Sequence, residues 1–125
     1  MPEQLVSTIG TFEHDKLFAG GISQVVTGSV TLKSGKSYVR GTILGLIDAE
    51  NKATIVDSTK EDGSQRPYAI LADDVDATTE DRKANVYFTG EFNEAALFVS
   101  ETDTVSRYKR VLREVGIFLK NTIEA

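Results

Sequence analysis

The stretch Pro67–Asn93, PYAILADDVDATTEDRKANVYFTGEFN, is the part of the sequence around which the other segments can be ordered. It holds two apolar runs, Tyr68–Ala72 and Val86–Phe92, and the polar, acidic connection between them lacks the apolar spacing of a helix. The second run is rich in aromatic and β-branched residues, which suit a half-buried pleated surface, so both runs are predicted to be strands. Gly90 predicts a bulge or bend within the second strand.

The residues before this stretch predict further strands. Ile22–Lys33 alternates with a period of two, and Gly35 in the turn that follows can supply the positive φ that a tight connection needs. Tyr38–Ile47 is predicted as one apolar, β-branched strand with internal glycines that mark bulges or close backbone approach. Ala53–Val56 is a further short strand, and the polar residues after it form a loop.

The residues after this stretch predict one helix. Apolar residues recur there at spacings of three and four, which predicts that they face the body: Val105, Tyr108, Val111, Leu112 and Val115. Asp103 or Thr104 can cap the start of this helix, and Gly116 can end it. Ala95–Val99 and Ile117–Leu119 are short apolar segments on either side. We therefore expect a mostly β fold with one C-terminal helix, either a small β-barrel-like domain or a β-rich α+β domain.

The first 21 residues have no clear period. They mix isolated apolar residues with glycines and charges, and the Gly20-Gly21 pair can act as a flexible joint. We predict that residues 1–21 form a flexible arm and that residues 22–125 form one compact domain. Two interpretations of the arm stay open: a segment that orders against a partner, and an edge strand packed on its own domain.

The composition restricts the class of protein. The 125 residues suit one domain, and the absence of cysteine excludes disulfides and cysteine-based zinc sites. Neither a membrane-spanning run nor a signal peptide is present in the sequence, so we expect a soluble protein made in the cytoplasm. Asp48–Asp103 contains 14 acidic and 5 basic residues, within a net charge of −5 for the chain. This acidic balance argues against binding to nucleic acid.

The residues that could take part in catalysis do not form a catalytic pattern. His14 is the sole histidine and lies in the arm, where we predict that it is solvated. Asp73, Asp74 and Asp76 lack the spacing and closing glutamate of a calcium loop, and no glycine motif fits a phosphate. We therefore predict no enzyme activity, no metal site and no cofactor. The basic residues of the helix form either a solvated face or a contact for an acidic partner: Arg107, Lys109, Arg110 and Arg113.

The order of several motifs resembles the bacteriophage head decoration proteins of the lambda D type. These motifs are SVTLKSGKSYVRGTILG, RPYAILADDVD, VYFTGEFN and the helix followed by VGIFL, and the resemblance runs from Leu17 to Leu119. One departure is Ala69, which stands where the family has glycine, so a close backbone approach there must accommodate one methyl group. The arm shows little similarity to that of lambda.

The resemblance implies a non-enzymatic cementing protein on the outer surface of the virion. It implies a homotrimer bound to the major capsid protein at three-fold and quasi-three-fold sites of the expanded head, with no nucleic-acid or membrane partner. It also implies that the arm orders on the shell by adding a strand to capsid-protein elements. The candidate capsid-binding residues are then the apolar residues of the arm and its joint: Leu5, Val6, Ile9, Phe12, Leu17, Phe18 and Ile22.

Two other functions stay open at this point. A tail or fibre adaptor domain fits the same composition. A small-ligand or carbohydrate-binding β module requires a concave pocket with converging polar groups. The absence of tryptophan counts against the second alternative, because only four tyrosines and six phenylalanines could provide stacking surfaces.

Overall fold

The computed structural model of the protein describes residues 25–120. The strands in this range are β1 (Val26–Leu32), β2 (Lys36–Tyr38), β3 (Ile43–Ile47), β4 (Lys52–Ile55), β5 (Pro67–Leu71), β6 (Val75–Ala77), β7 (Arg82–Asn93) and β8 (Ile117–Lys120). The helix α1 spans Val105–Glu114, and a short 3-10 turn spans Glu94–Ala96. Strands dominate, so the predicted mostly β class with one C-terminal helix is confirmed. No helix within this range is both long and apolar enough to cross a bilayer.

Five strands pair in a closed ring. β1 lies beside β4, followed by β3, β5 and β7, and β7 pairs again with β1. The pairing of β1 with β4 is parallel, and the other pairings of the ring are antiparallel. β8 extends the sheet as a parallel partner of β7, while β2 and β6 form a separate two-stranded sheet. The length of β7 allows this arrangement, because residues 82–89 pair with β1 and residues 90–93 pair with β8.

Three strands of the ring, β3, β5 and β7, bury residues on both of their faces. Neighbouring residues of a strand point to opposite faces, and the two resulting clusters are separate. One cluster lies among the strands of the ring and the small sheet and includes Leu44 and Val86. The other lies beneath α1 and β8 and includes Phe92, Leu112 and Ile117. Three strands therefore supply adjacent residues to different clusters: Ile43 and Leu44, Ile70 and Leu71, and Val86 and Tyr87.

The bend predicted at Gly90 is confirmed. Gly90 has φ of +147°, and the register between β1 and β7 shifts between Val26 and Thr27. The backbone N–H of Val26 donates to Oγ1 of Thr89 at 3.1 Å, which holds the start of β1 against the bend. The predicted turn at Gly35 is also confirmed, since its φ is +115°.

The prediction of one strand over Tyr38–Ile47 is wrong. The chain turns between Val39 and Thr42, where the N–H of Thr42 donates to the carbonyl of Val39 at 3.1 Å. Gly41 has φ of +94°, a value that a strand does not use. The glycine therefore ends one strand and begins another, which the sequence pattern presents as a continuous apolar run.

The acidic connection contains a short strand that the sequence analysis did not predict. β6 (Val75–Ala77) pairs with β2 in the register Ser37 with Asp76. Ala77 is fully buried while Asp76 is exposed, so the strand alternates as a half-buried strand should. Three residues are too few for this alternation to be recognised in the sequence.

The helix has the predicted position, but a narrower buried face. It begins after Thr104 and ends before Gly116, whose φ is +92°. Only Tyr108 and Leu112 are buried among the helix residues. Val111 and Val115, which were predicted to face the body, are 38% and 45% exposed, because they lie on the side of the helix next to the buried stripe.

A loop packs directly against the backbone of β3. A Cβ atom on Gly45 would lie 2.3 Å from the carbonyl oxygen of Ser64, well inside any allowed contact. Ser64 is fully buried, and its hydroxyl donates to the carboxylate of Asp62 at 2.6 Å. The N–H of Asp48 donates to the carbonyl of Asp62 at 2.9 Å. Only glycine fits at position 45, because the Ser64 atoms that a Cβ atom would meet belong to the backbone and cannot rotate away.

Gly45→Ala should therefore destabilise the protein although it adds only one methyl group. We expect the free energy of unfolding to fall by about 2–3 kcal/mol, as overpacking against an immobile backbone does. Urea denaturation measures this change, with the exposed Ser29→Ala on β1 as the control that should shift stability by less than about 0.5 kcal/mol. Equal midpoints for the two variants would contradict the close approach.

Candidate interaction surfaces

The acidic residues of the β5–β6 connection do not gather around a common point. The carboxylate of Asp74 accepts from the N–H of Arg40 at 2.7 Å. Asp76 accepts from the hydroxyl of Thr78 at 2.7 Å, and this hydrogen bond lowers the pKa of Asp76. Asp73 lies 3.4 Å from the side-chain amide of Asn85. Among residues 25–120, no group of three or more acidic or histidine side chains is arranged to hold a metal ion.

A different carboxylate is the centre of a buried polar network. The side chain of Asp103 is 1% exposed and accepts four hydrogen bonds. Its donors are the backbone N–H of Ser58 at 3.0 Å, the Ser58 hydroxyl at 2.6 Å, the Ser100 hydroxyl at 3.0 Å and the Tyr108 hydroxyl at 2.6 Å. This network ties the loop after β4 to the start of α1.

The network changes the ionisation of both of its acidic members. Burial by itself would raise the pKa of Asp103, but the hydrogen bonds from Ser58, Tyr108 and Ser100 outweigh it and hold that pKa far below its usual range. Burial and the hydrogen bond to Asp103 raise the pKa of Tyr108. Asp103 is therefore charged throughout the neutral range. The sequence predicted it only as a possible helix cap; Thr104 is the residue at the cap position, and its side chain makes no capping bond.

Asp103→Asn should lower the free energy of unfolding at pH 7 by about 3 kcal/mol, because it removes the charge from several buried hydrogen bonds. The folded pKa of Asp103 is depressed, so the stabilisation is present above the unfolded pKa of about 3.9 and is lost as the pH falls below it. The stability difference between wild type and variant should be constant from about pH 5 to pH 8 and shrink below about pH 4.

Denaturation at a series of pH values measures this difference. The matched control is Asp73→Asn, an exposed carboxyl, which should change stability by less than about 0.5 kcal/mol at every pH. If the stability difference between wild type and Asp103→Asn stays unchanged down to about pH 3, the charge of Asp103 does not contribute to the free energy of unfolding.

The outer side of α1 carries the predicted basic face. Lys109 pairs with Glu94 at 3.5 Å, and Arg107 lies 3.9 Å from Asp103. Within residues 25–120, no carboxylate lies within ion-pair distance of Arg110 or Arg113. All four basic side chains are exposed. Two cations of this face are therefore open to a partner on the described surface.

Large apolar side chains are exposed at several places on the described surface: Val26, Val39, Tyr68, Phe98, Val111, Val115 and Phe118. Val111 lies on α1 and Val115 directly follows the last residue of the helix, so the two form an apolar strip beside the arginines. Phe98 is 50% exposed and follows the buried Leu97. Phe98 lies in the short apolar segment Ala95–Val99, and the composition of this segment does not indicate which of its residues is exposed.

A shallow open groove runs beside β7. Exposed polar residues line it, among them Thr27, Ser29, Asp73 and Asn85. These side chains lie along an open surface and do not converge in an enclosed site, which is what a small-ligand module would require.

The arm predicted to bind the capsid lies outside the described residues. This applies to all seven candidate residues: Leu5, Val6, Ile9, Phe12, Leu17, Phe18 and Ile22. His14 also lies there, so its predicted solvation stays a prediction. The described part of the chain begins at Val25, which lies near the bend of β7, because a Cβ atom on Gly90 would lie 3.5 Å from one of its methyl groups.

The described residues form a body with two buried clusters and with exposed apolar and charged surfaces. Residues 6–116 match the family model of the bacteriophage lambda head decoration protein D. No curated protein matches the chain. The match extends over most of the sequence, and the chain belongs to the bacteriophage lambda head decoration protein D family. It is a structural component of a phage head and decorates the capsid.

Proposed function

We propose that the protein is a cementing protein that binds the exterior of the expanded head as a trimer, at three-fold and quasi-three-fold sites, and stabilises the shell against the pressure of packaged DNA. The observation that carries this proposal is the family match over residues 6–116. The match begins close to the start of the chain and thus includes most of the arm (residues 1–21), as well as the body.

The arm is the proposed capsid-binding segment. It leads into β1, whose seven residues pair along β7, so a pull on the arm would be borne by a ladder of backbone hydrogen bonds. An extended arm can add a strand to the capsid protein, with main-chain hydrogen bonds for affinity and alternate side chains for specificity. The apolar residues next to the body would then be buried on the shell: Leu17, Phe18 and Ile22.

A trimer makes this attachment multivalent. Once one arm is bound, the others are held near their own sites at a high effective concentration, so modest single contacts give tight binding. Arms that reach different capsid subunits link those subunits mechanically. The closed ring suits this role, since three of its strands bury residues on both of their faces, and closely packed strands resist deformation.

The charge of the protein fits an external position. The net charge of −5 gives no attraction to the packaged DNA, and the basic residues of α1 are too few and too close to acidic loops to reverse this balance. Contact with the shell protein, rather than with nucleic acid, is therefore the proposed source of binding energy.

The joint replacement of Leu17, Phe18 and Ile22 by serine should abolish binding to expanded heads while the body stays folded. The matched control replaces three polar arm residues by alanine: Gln4, Ser7 and Thr8. Co-sedimentation with heads lacking the decoration protein measures binding, and circular dichroism measures folding. We expect the apolar variant to lose at least about 100-fold in affinity because three burials are removed from each arm, and the control to lose less than about threefold. Undiminished binding of the apolar variant would exclude the arm as the attachment.

Cryo-electron microscopy of heads saturated with the protein should show protrusions at three-fold and quasi-three-fold positions. Decorated heads should also withstand a higher temperature before releasing their DNA than undecorated heads, because bound arms stabilise the assembled shell alone. Density at the five-fold vertices or on the tail would contradict the proposed position. Equal release temperatures would contradict the stabilising role.

A further inference from the structure

We propose that an extended segment of the capsid protein pairs with the open edge of β1 (Val26–Leu32), so that the body of this protein receives a strand from the shell. The segment carries alternating apolar and acidic side chains. This inference rests on the proposed binding to the head. It adds a second attachment, which lies on the body and not on the arm (residues 1–21).

β1 is paired fully along only one of its two edges. All of its residues have partners on β7, whereas β4 pairs with it at a single position, Leu32 with Ala53. Before that position, no strand within residues 25–120 pairs with the second edge of β1. An edge of this kind presents backbone N–H and C=O groups to which another strand can bond.

The backbone groups that face the open edge can be identified. The N–H of Lys33, the residue after β1, donates to the carbonyl of Ala53 on β4 at 2.8 Å. Because successive N–H groups of a strand point to opposite edges, those of Thr31 and Ser29 point to the same edge as that of Lys33. The N–H of Val30 points to β7. The open edge therefore presents N–H donors at Ser29 and Thr31.

A groove lies along the open edge. Three consecutive residues of β1, 29–31, line it, although neighbouring side chains of a strand point to opposite faces, so the groove follows the edge of the strand. Leu46 and Tyr68 also line the groove and give it apolar surface. The ring of Tyr68 makes an edge-on contact with Phe88, with the ring centroids 5.6 Å apart. The groove therefore joins open backbone groups to side chains that an added strand can contact.

The two faces beside the open edge differ in character. Val30 is half-buried and packs against the apolar cluster within the ring. Thr31 points to the opposite face, where its partner on β7 is Lys83, which also lines the groove. No carboxylate within residues 25–120 lies within ion-pair distance of Lys83, and those of Glu50 and Asp81 are paired with other lysines. An added strand with apolar and acidic side chains in alternation matches both faces.

The position of the edge indicates the capsid protein as the occupant. β1 directly follows the segment that contains the arm, and Ser29 lies four residues after Val25, or about 13 Å along a strand. A capsid subunit that is held by the arm is therefore close to the groove. Pairing with β1 would give this subunit a second contact, and two linked contacts bind more tightly than either one alone.

Amide hydrogen exchange, resolved to single residues, tests the contact in the wild-type protein. In the free protein, the N–H groups of Ser29 and Thr31 should exchange quickly and that of Val30 slowly, because only the last one points to β7. On expanded heads, exchange at Ser29 and Thr31 should slow at least about tenfold, since a capsid strand then accepts their hydrogen bonds. Val30 is the internal control, and its rate should change less than about threefold.

Lys83→Glu tests the acidic character of the capsid segment. The variant should bind expanded heads about tenfold more weakly, because it places a carboxylate against the acidic side chains of the added strand. The matched control is Lys36→Glu, which makes the same change of charge at an exposed lysine of β2, and it should change the affinity less than about threefold. Co-sedimentation measures binding, and circular dichroism shows whether both variants are folded.

Several outcomes would overturn the inference. Fast exchange at Ser29 and Thr31 on heads that carry the protein would show that the edge stays open there, and the cementing role would stand without it. Slow exchange at these residues in the absence of heads would assign the edge to the arm or to a second copy. Equal affinities of folded Lys83→Glu and the wild type would exclude the acidic segment. A wild type that does not sediment with heads contradicts the proposed function itself, and the strand contact with it.

Discussion

The pairing of β7 (Arg82–Asn93) is the constraint on which the rest of the body depends. This strand has 12 residues and bonds to β1, β5 and β8. Its pairing with β1 closes the ring, and its pairing with β8 brings the end of the described chain back to the sheet. The bend at Gly90 lies where β7 changes partner, since residues 82–89 pair with β1 and residues 90–93 pair with β8.

Closure of the ring explains why β3, β5 and β7 bury residues on both of their faces. One face encloses a cluster between strands, and the other must be covered by elements from outside the ring, which are α1 and β8. The part of α1 that packs on this face is small, since only Tyr108 and Leu112 of the helix are buried. Asp103 therefore has a structural consequence beyond its own hydrogen bonds. Through its hydrogen bonds from Ser58, Asp103 fixes the start of α1 to the loop after β4.

Because the buried face of α1 is narrow, part of the helix surface stays available for contacts with partners. A helix that buried all five of its apolar positions would present only charges to the outside. This helix keeps Val111 and Val115 exposed beside arginines, and the turn at Val39 keeps an apolar residue beside aspartates. The body thus combines a rigid interior with surfaces of opposite charge, which is the combination that a repeating shell component needs for specific contacts.

Local features of the fold can be read from the sequence. The strand at Pro67, the turn at Gly35, the bend at Gly90 and the helix ending before Gly116 follow from residue periodicity and from the φ values that glycine and proline permit. The ordered motifs also predicted the family correctly. These features depend on residues that are close together in the chain, so they can be predicted without knowledge of the tertiary structure.

Which residues share a surface depends on the tertiary structure. Ser58 and Asp103 are 45 residues apart, and nothing near either residue indicates their hydrogen bonds. The break at Gly41 was missed because an apolar run looks the same whether it is one strand or two. The exposure of Val111 was missed because helical periodicity gives the direction of an apolar stripe but not the width of the surface that covers it. That width depends on how far distant strands extend beneath the helix, and this is fixed by the closure of the ring.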